Sequence, residues 1–138
     1  MRTLALAVGT ALFATAVGCS HEKGAFQTSE VTAAGTPKVL RHVVLFKYKD
    51  DAKPDQVQAS VKAFRALPGK INLIRAFEWG TNVSPEKLNQ GYTHVYFLTF
   101  TGTADRDAYL VHPAHKEFAA SLGPVLDKVA VVDYWTQQ

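Results

Sequence analysis

Two stretches of this 138-residue chain are apolar on both faces of the strand each would form. In Val39–Tyr48 the odd positions are Val39, Arg41, Val43, Leu45 and Lys47; the even ones are Leu40, His42, Val44, Phe46 and Tyr48. Tyr92–Thr101 is built from strong β-formers, among them Thr93, Val95, Tyr96, Phe97, Thr99 and Phe100. Side chains alternate across a strand, so such segments need cover on both sides. The rest of the chain has to supply that cover or leave it to a partner.

Most of the remaining signals are helical. Lys49–Ala52 is a polar turn, and Pro54 suits a first helical position. Val57, Val61, Phe64 and Leu67 follow at helical spacing, with Gln58, Ser60, Lys62 and Arg65 turned outward, until Pro68-Gly69 stops the helix. Ile71–Gly80 reads as a second strand with Leu73, Phe77 and Trp79 on one face, and Ser84-Pro85-Glu86 as the start of a short helix over 85–90. Thr103 caps another short helix, with Asp105 and Asp107 near its positive end. Pro113 opens a helix whose apolar face holds Phe118, Ala119, Leu122 and Leu126, bent or frayed at Gly123-Pro124. Val129–Trp135 is the last strand. The order β-α-β-(α)-β-α-α-β predicts a ferredoxin-like α+β sandwich with an antiparallel sheet. Its helices cover one face only. A second copy is the simplest cover for the other, which predicts a homodimer closed as an α/β barrel.

The single cysteine, Cys19, follows a charge-free stretch, Leu4–Val17, too short at about 1.5 Å per residue to span a bilayer core. Ala16-Val17-Gly18-Cys19 resembles the lipobox of bacterial lipoproteins, which implies cleavage before Cys19 and acylation of its sulfur. The chain then divides into a signal peptide (1–18), a lipidated N-terminus and flexible tether (19–37) and a domain (38–138). The expected location is the bacterial envelope, anchored in the outer membrane and facing the periplasm. Cleavage after Ala14-Thr15-Ala16 is the alternative, giving a soluble secreted or periplasmic protein.

Composition excludes several classes. One cysteine permits no internal disulfide and no Cys/His zinc finger. The net charge of +3 is scattered, without the basic stripe that nucleic acids require. There is no G-x-S-x-G elbow, P-loop or Gly-rich dinucleotide fingerprint. The sequence therefore calls for no cofactor and no metal; His112 and His115 at i, i+3 have no acidic residue beside them in a recognised metal motif.

The candidates for chemistry are histidines and a tyrosine. His42 and His94 sit on strand positions shared with apolar residues. Tyr109-Leu-Val-His112-Pro-Ala-His115 is the densest cluster. On one continuous helix Tyr109 and His115 would lie about 240° apart. They meet only if Pro113 breaks the helix, with His112 as the cap of the next one. Each histidine has a purely structural alternative, a core imidazole bonded to backbone.

The ordered set His42-Val-Val-Leu-Phe-Lys47, Glu78-Trp-Gly80, Gly91-Tyr-Thr-His94, Tyr109 to His115 and Val131-Val-Asp-Tyr134 resembles the stress-responsive α/β-barrel (Dabb) family. The resemblance implies a dimeric barrel of ferredoxin-like subunits. In that family a plant cyclase closes a linear polyketide without a cofactor, using a Tyr/His pair. The similarity puts those roles on Tyr109 and His115, with His42 and His94 on the pocket side. Phe64 stands where that cyclase has a tyrosine. Two functions follow as expectations. One is binding of a small apolar or aromatic molecule, as part of a stress response, in a pocket between sheet and helices lined by His42, Val44, Phe46, Phe64, Phe77, His94 and Val131. The other is a cofactor-free lyase or cyclase with Tyr109 and His115 as the acid–base pair.

Overall fold

The computed structural model describes residues 38–137. The predicted signal peptide, the tether and Cys19 lie outside them. The elements are β1 (Leu40–Tyr48), α1 (Pro54–Arg65), β2 (Ala76–Thr81), β3 (His94–Phe100), α2 (Thr103–Val111), α3 (Pro113–Ser121) and β4 (Leu126–Trp135), with a 3-10 turn at Leu67–Gly69. The sheet order is β2-β3-β1-β4, and every pairing is antiparallel. The two strands that are apolar on both faces take the two central places.

The helices cover the face that carries Leu40, His42, Val44 and Phe46 of β1 and Tyr96, Leu98 and Phe100 of β3, all of them buried. Phe64 from α1 and Phe118 from α3 close this core, with ring centroids 4.2 Å from Phe64 to Tyr96 and 4.6 Å from Phe64 to Phe118. Burying each such side chain stabilises the fold by about 1.5–3 kcal/mol. The opposite face bears Val43 and Leu45, register partners of Phe97 and Val95 on one side and of Val132 and Ala130 on the other. No helix covers it among the described residues, and Val132 and Tyr134 there remain 53% and 44% exposed.

Several local expectations are corrected. The second strand begins at Ala76, not Ile71. Ile71 and Ile74 are buried instead as part of an irregular segment that plugs the core. No helix forms over 85–90, because Lys87 (φ 58°), Gln90 (φ 49°) and Gly91 (φ 85°) hold a left-handed backbone that a right-handed helix cannot use. Ser84 caps a turn there, its hydroxyl accepting from the Glu86 N–H at 3.3 Å. Thr103 opens α2 but does not cap it; the cap position is Gly102. Ser60 faces inward, not outward: its hydroxyl lies 2.7 Å from that of Tyr48 and donates to the Val57 carbonyl. α3 ends at Ser121, so Leu126 begins the last strand and is not on a helix face.

The break between α2 and α3 positions the site. A residue preceding proline is pushed out of the helical region, and His112 is accordingly extended (φ −62°, ψ 136°). Its Nδ1 accepts a hydrogen bond from the Ala114 N–H at 3.1 Å, so it caps α3 as expected. The redirected chain packs the Tyr109 and His115 rings against each other, tilted by 46°, with centroids 4.3 Å apart.

Candidate active site

A cavity of about 500 Å³ lies between the sheet and α3 on the β4 side. Its walls are Val44 and Phe46 from β1, Leu110, Ala119 and Leu122 from the helical side, and Val129 and Val131 from β4. Polar side chains enter at defined points: His42, His115 and Asp133 inside the apolar wall, Asp127 and Lys128 on the β4 side. A mostly apolar cavity with a few converging polar groups is the usual form of a small-molecule site.

The imidazole of His115 is held by its Nδ1, which donates to the Leu110 carbonyl at 3.1 Å. A carbonyl can only accept, so the proton is on Nδ1 and Nε2 carries the lone pair. Burial lowers the pKa of His115; the bond to Leu110 opposes this by a smaller amount, and the neighbouring His42 and His112 add to the lowering. The ring is therefore neutral at neutral pH, and Nε2 is a base. Tyr109 packs against both histidines, with its ring outside the cavity lining. It is 1% exposed, and its ring lies 4.3 Å from His115 and 5.8 Å from His42. Burial pushes its hydroxyl far above the ordinary phenol range, so it stays protonated and can donate.

His42 is fixed by a different partner. Its Nδ1 donates to Asp133 Oδ1 at 2.6 Å. The two residues are directly opposed in the β1–β4 register, which alone brings groups 91 residues apart in sequence together. The second oxygen of Asp133 is taken by Arg106 of α2, which also donates to Asp107. Arg106, Asp133 and His42 thus form a chain from the surface to the cavity wall. An acidic residue on the inward face of a strand beside Val129 and Val131 was its only mark in the sequence. Nothing in the sequence around Arg106 marks its part in the chain.

The fold gathers His42, Val44, Phe46, Val131 and His115 around one cavity, with Tyr109 against it. It does not bring Phe64, Phe77 or His94 there. Phe64 is 1% exposed and fills the core; Phe77 packs on it at 5.6 Å. His94 lies beyond this aromatic layer and opens on a separate groove with Trp79 and α1. Its Nδ1 lies 2.9 Å from Thr93 Oγ1, and burial lowers its pKa. Among the described residues no group of three or more His, Cys, Asp or Glu side chains is placed to hold a metal ion.

Comparison with known proteins identifies the fold. The stress responsive A/B barrel domain profile matches residues 40–136. The stress-response A/B barrel domain-containing protein HS1 of Arabidopsis thaliana is 41% identical over 95 residues, covering 69% of this chain and 87% of that protein. Olivetolic acid cyclase of Cannabis sativa is 27% identical over 95 residues, covering 69% of this chain and 94% of the cyclase. Among solved structures, hydroxynitrile lyase from Passiflora edulis superposes with a TM-score of 0.70 at 28% identity, covering 75% of this chain and 97% of the lyase. A dimeric protein of unknown function with a ferredoxin-like fold from Bacteroides fragilis gives 0.59 at 29% identity, covering 71% and 96%. The chain belongs to the stress responsive A/B barrel domain family.

Proposed function

We propose that this protein is a cofactor-free enzyme of the lyase or cyclase type, using His115 as general base and Tyr109 as hydrogen-bond donor on a small apolar or aromatic carbonyl compound. The observation that carries this is the Nδ1–H to Leu110 carbonyl bond, which leaves the basic Nε2 of a neutral imidazole at an apolar cavity with a protonated phenol beside it. In the reaction, Nε2 takes a proton from the carbon next to the carbonyl. The electron pair moves to the carbonyl oxygen, and the Tyr109 O–H stabilises the enolate. The enolate carbon then attacks a second carbonyl, forming the new C–C bond as that C=O π bond opens, and the protonated ring gives its proton to the resulting alkoxide oxygen; the lyase direction runs the same steps in reverse. His42, fixed through Nδ1 by Asp133, lines the same cavity as His115. The likeness to a cyclase and to a hydroxynitrile lyase supports a site of this general type.

The test is deuterium exchange at carbons next to a carbonyl, followed by NMR over a panel of aromatic ketones and β-diketones, together with cleavage of an aromatic hydroxynitrile. Catalysed exchange or cleavage that His115→Ala abolishes is the expected result. Saturable binding with no turnover of any panel member would replace the enzyme reading with a binding module.

The apolar outer face of the sheet and the dimeric relatives support a homodimer joined through that face, measurable by sedimentation at micromolar concentration. Lipid anchoring at Cys19 in the bacterial envelope, outer membrane included, is part of the same proposal. Metabolic labelling with palmitate should be lost in Cys19→Ala.

A further inference from the structure

The groove on the other flank of the sheet has no part in the chemistry above. It measures about 920 Å³ and runs between α1 and the inner face of β2, with no wall residue in common with the first cavity. The aromatic layer of Phe46, Phe64, Tyr96 and Phe118 separates the two. Its apolar lining includes Val57, Val61 and Trp79. Trp79 is 39% exposed although it points to the helix-covered face, because β2 is an edge strand.

Two cations face this apolar surface. Lys62 and Arg65 stand at i, i+3 in the last turn of α1, on one side of the helix. The Arg65 guanidinium is held 5.3 Å above the Trp79 ring. The negative end of the helix accounts for basic residues in that turn, but not for a tryptophan placed under one of them. Neither cation makes an ion pair among the described residues. The one acid in the groove, Asp55, is seven residues from Lys62 along the helix, about 10 Å at 1.5 Å per residue. It leaves the positive end uncompensated.

We infer that this groove is a second ligand site, for a small amphiphilic anion whose apolar or aromatic body lies along Trp79 and Val61 and whose carboxylate or sulfonate meets Lys62 and Arg65. The charge is complementary at one end only, which fixes the orientation of the ligand. Arg65 is already ordered by the indole, so less side-chain entropy is lost when it binds an anion.

The test titrates 2-naphthoate into the full chain and follows the Trp79 indole N–H and the His94 ring by NMR. Saturable shifts at both are expected. Arg65→Glu and Lys62→Glu, both at exposed positions, should each weaken binding roughly tenfold or more, the scale of one charge-assisted hydrogen bond, while the protein keeps a single cooperative thermal melt at slightly lower temperature. The neutral 2-naphthalenemethanol should bind the wild type as weakly as the acid binds either variant. Val131→Trp, which fills the first cavity, should not change the Trp79 shifts. Four results would overturn the proposal: shifts confined to His42 and His115, full affinity in both charge variants, equal binding of the alcohol, or loss of the naphthoate shifts as protein concentration rises. The last would mean that a second copy of the chain occupies the groove.

Discussion

Tyr109 has two separable parts, a ring and a hydroxyl, and Tyr109→Phe divides them. The ring is 1% exposed and packs on His115 at 4.3 Å, Phe100 at 5.2 Å and His42 at 5.8 Å. Phenylalanine keeps all three contacts, so stability should change by no more than about 1 kcal/mol, the net scale of one hydrogen-bonding group. Truncation to alanine would instead open a cavity beneath both histidines and cost about 3–5 kcal/mol. If the hydroxyl stabilises charge on the substrate oxygen, Tyr109→Phe should lower turnover about 10²–10³-fold, the usual effect of one preorganised donor. The assay is paired: thermal unfolding of both variants, and deuterium exchange or hydroxynitrile cleavage on whichever panel member the wild type accepts. A Tyr109→Phe protein that keeps both its melting temperature and wild-type turnover would refute the donor role and leave Tyr109 as packing for His115.

Three further outcomes are expected. Asp133→Asn removes the carboxylate that His42 and Arg106 share; because His42 is buried, thermal melts should show a loss of about 1–3 kcal/mol, while nitrogen-15 NMR should show His42 losing its single tautomer. Acidification should act through His115 and His94, whose pKa values burial lowers. The unfolded chain binds protons first, from about pH 6.5 downward, so thermal melts should show stability falling below that pH, and turnover should persist to a lower pH than an exposed histidine allows. Phe97→Glu places a charge in the middle of the uncovered sheet face, beside Val43, and should convert a sedimenting dimer to a monomer without unfolding it.

Much of this was legible in the sequence because local chemistry decided it. The alternation in Val39–Tyr48 placed β1, Pro54 started α1, and His112-Pro113 forced the break that lets Tyr109 reach His115. What stayed hidden depends on register or on backbone conformation. Asp133 meets His42 only through β1–β4 pairing, and nothing adjacent in sequence announces it. Ser84-Pro85-Glu86 has the chemistry of a helix start, but the positive φ of Lys87 and Gln90 is a backbone choice their side chains do not reveal. The grouping of His94, Phe64 and Phe77 with the first cavity failed for a packing reason. All are tied to the helix-covered side of the sheet, yet the packed Phe46, Phe64, Tyr96 and Phe118 rings fill its middle and leave two separate spaces. Strand alternation gives the face of a residue, not which end of that face it serves.

The proposed chemistry depends on His115 presenting a bare Nε2 to the cavity. Nitrogen-15 NMR of the histidine rings at neutral pH reads this directly, through the couplings of each ring nitrogen to the ring protons. His115 is expected to be neutral, with its proton on Nδ1 toward Leu110 and a lone pair on Nε2. A doubly protonated ring, or a proton on Nε2, would contradict it.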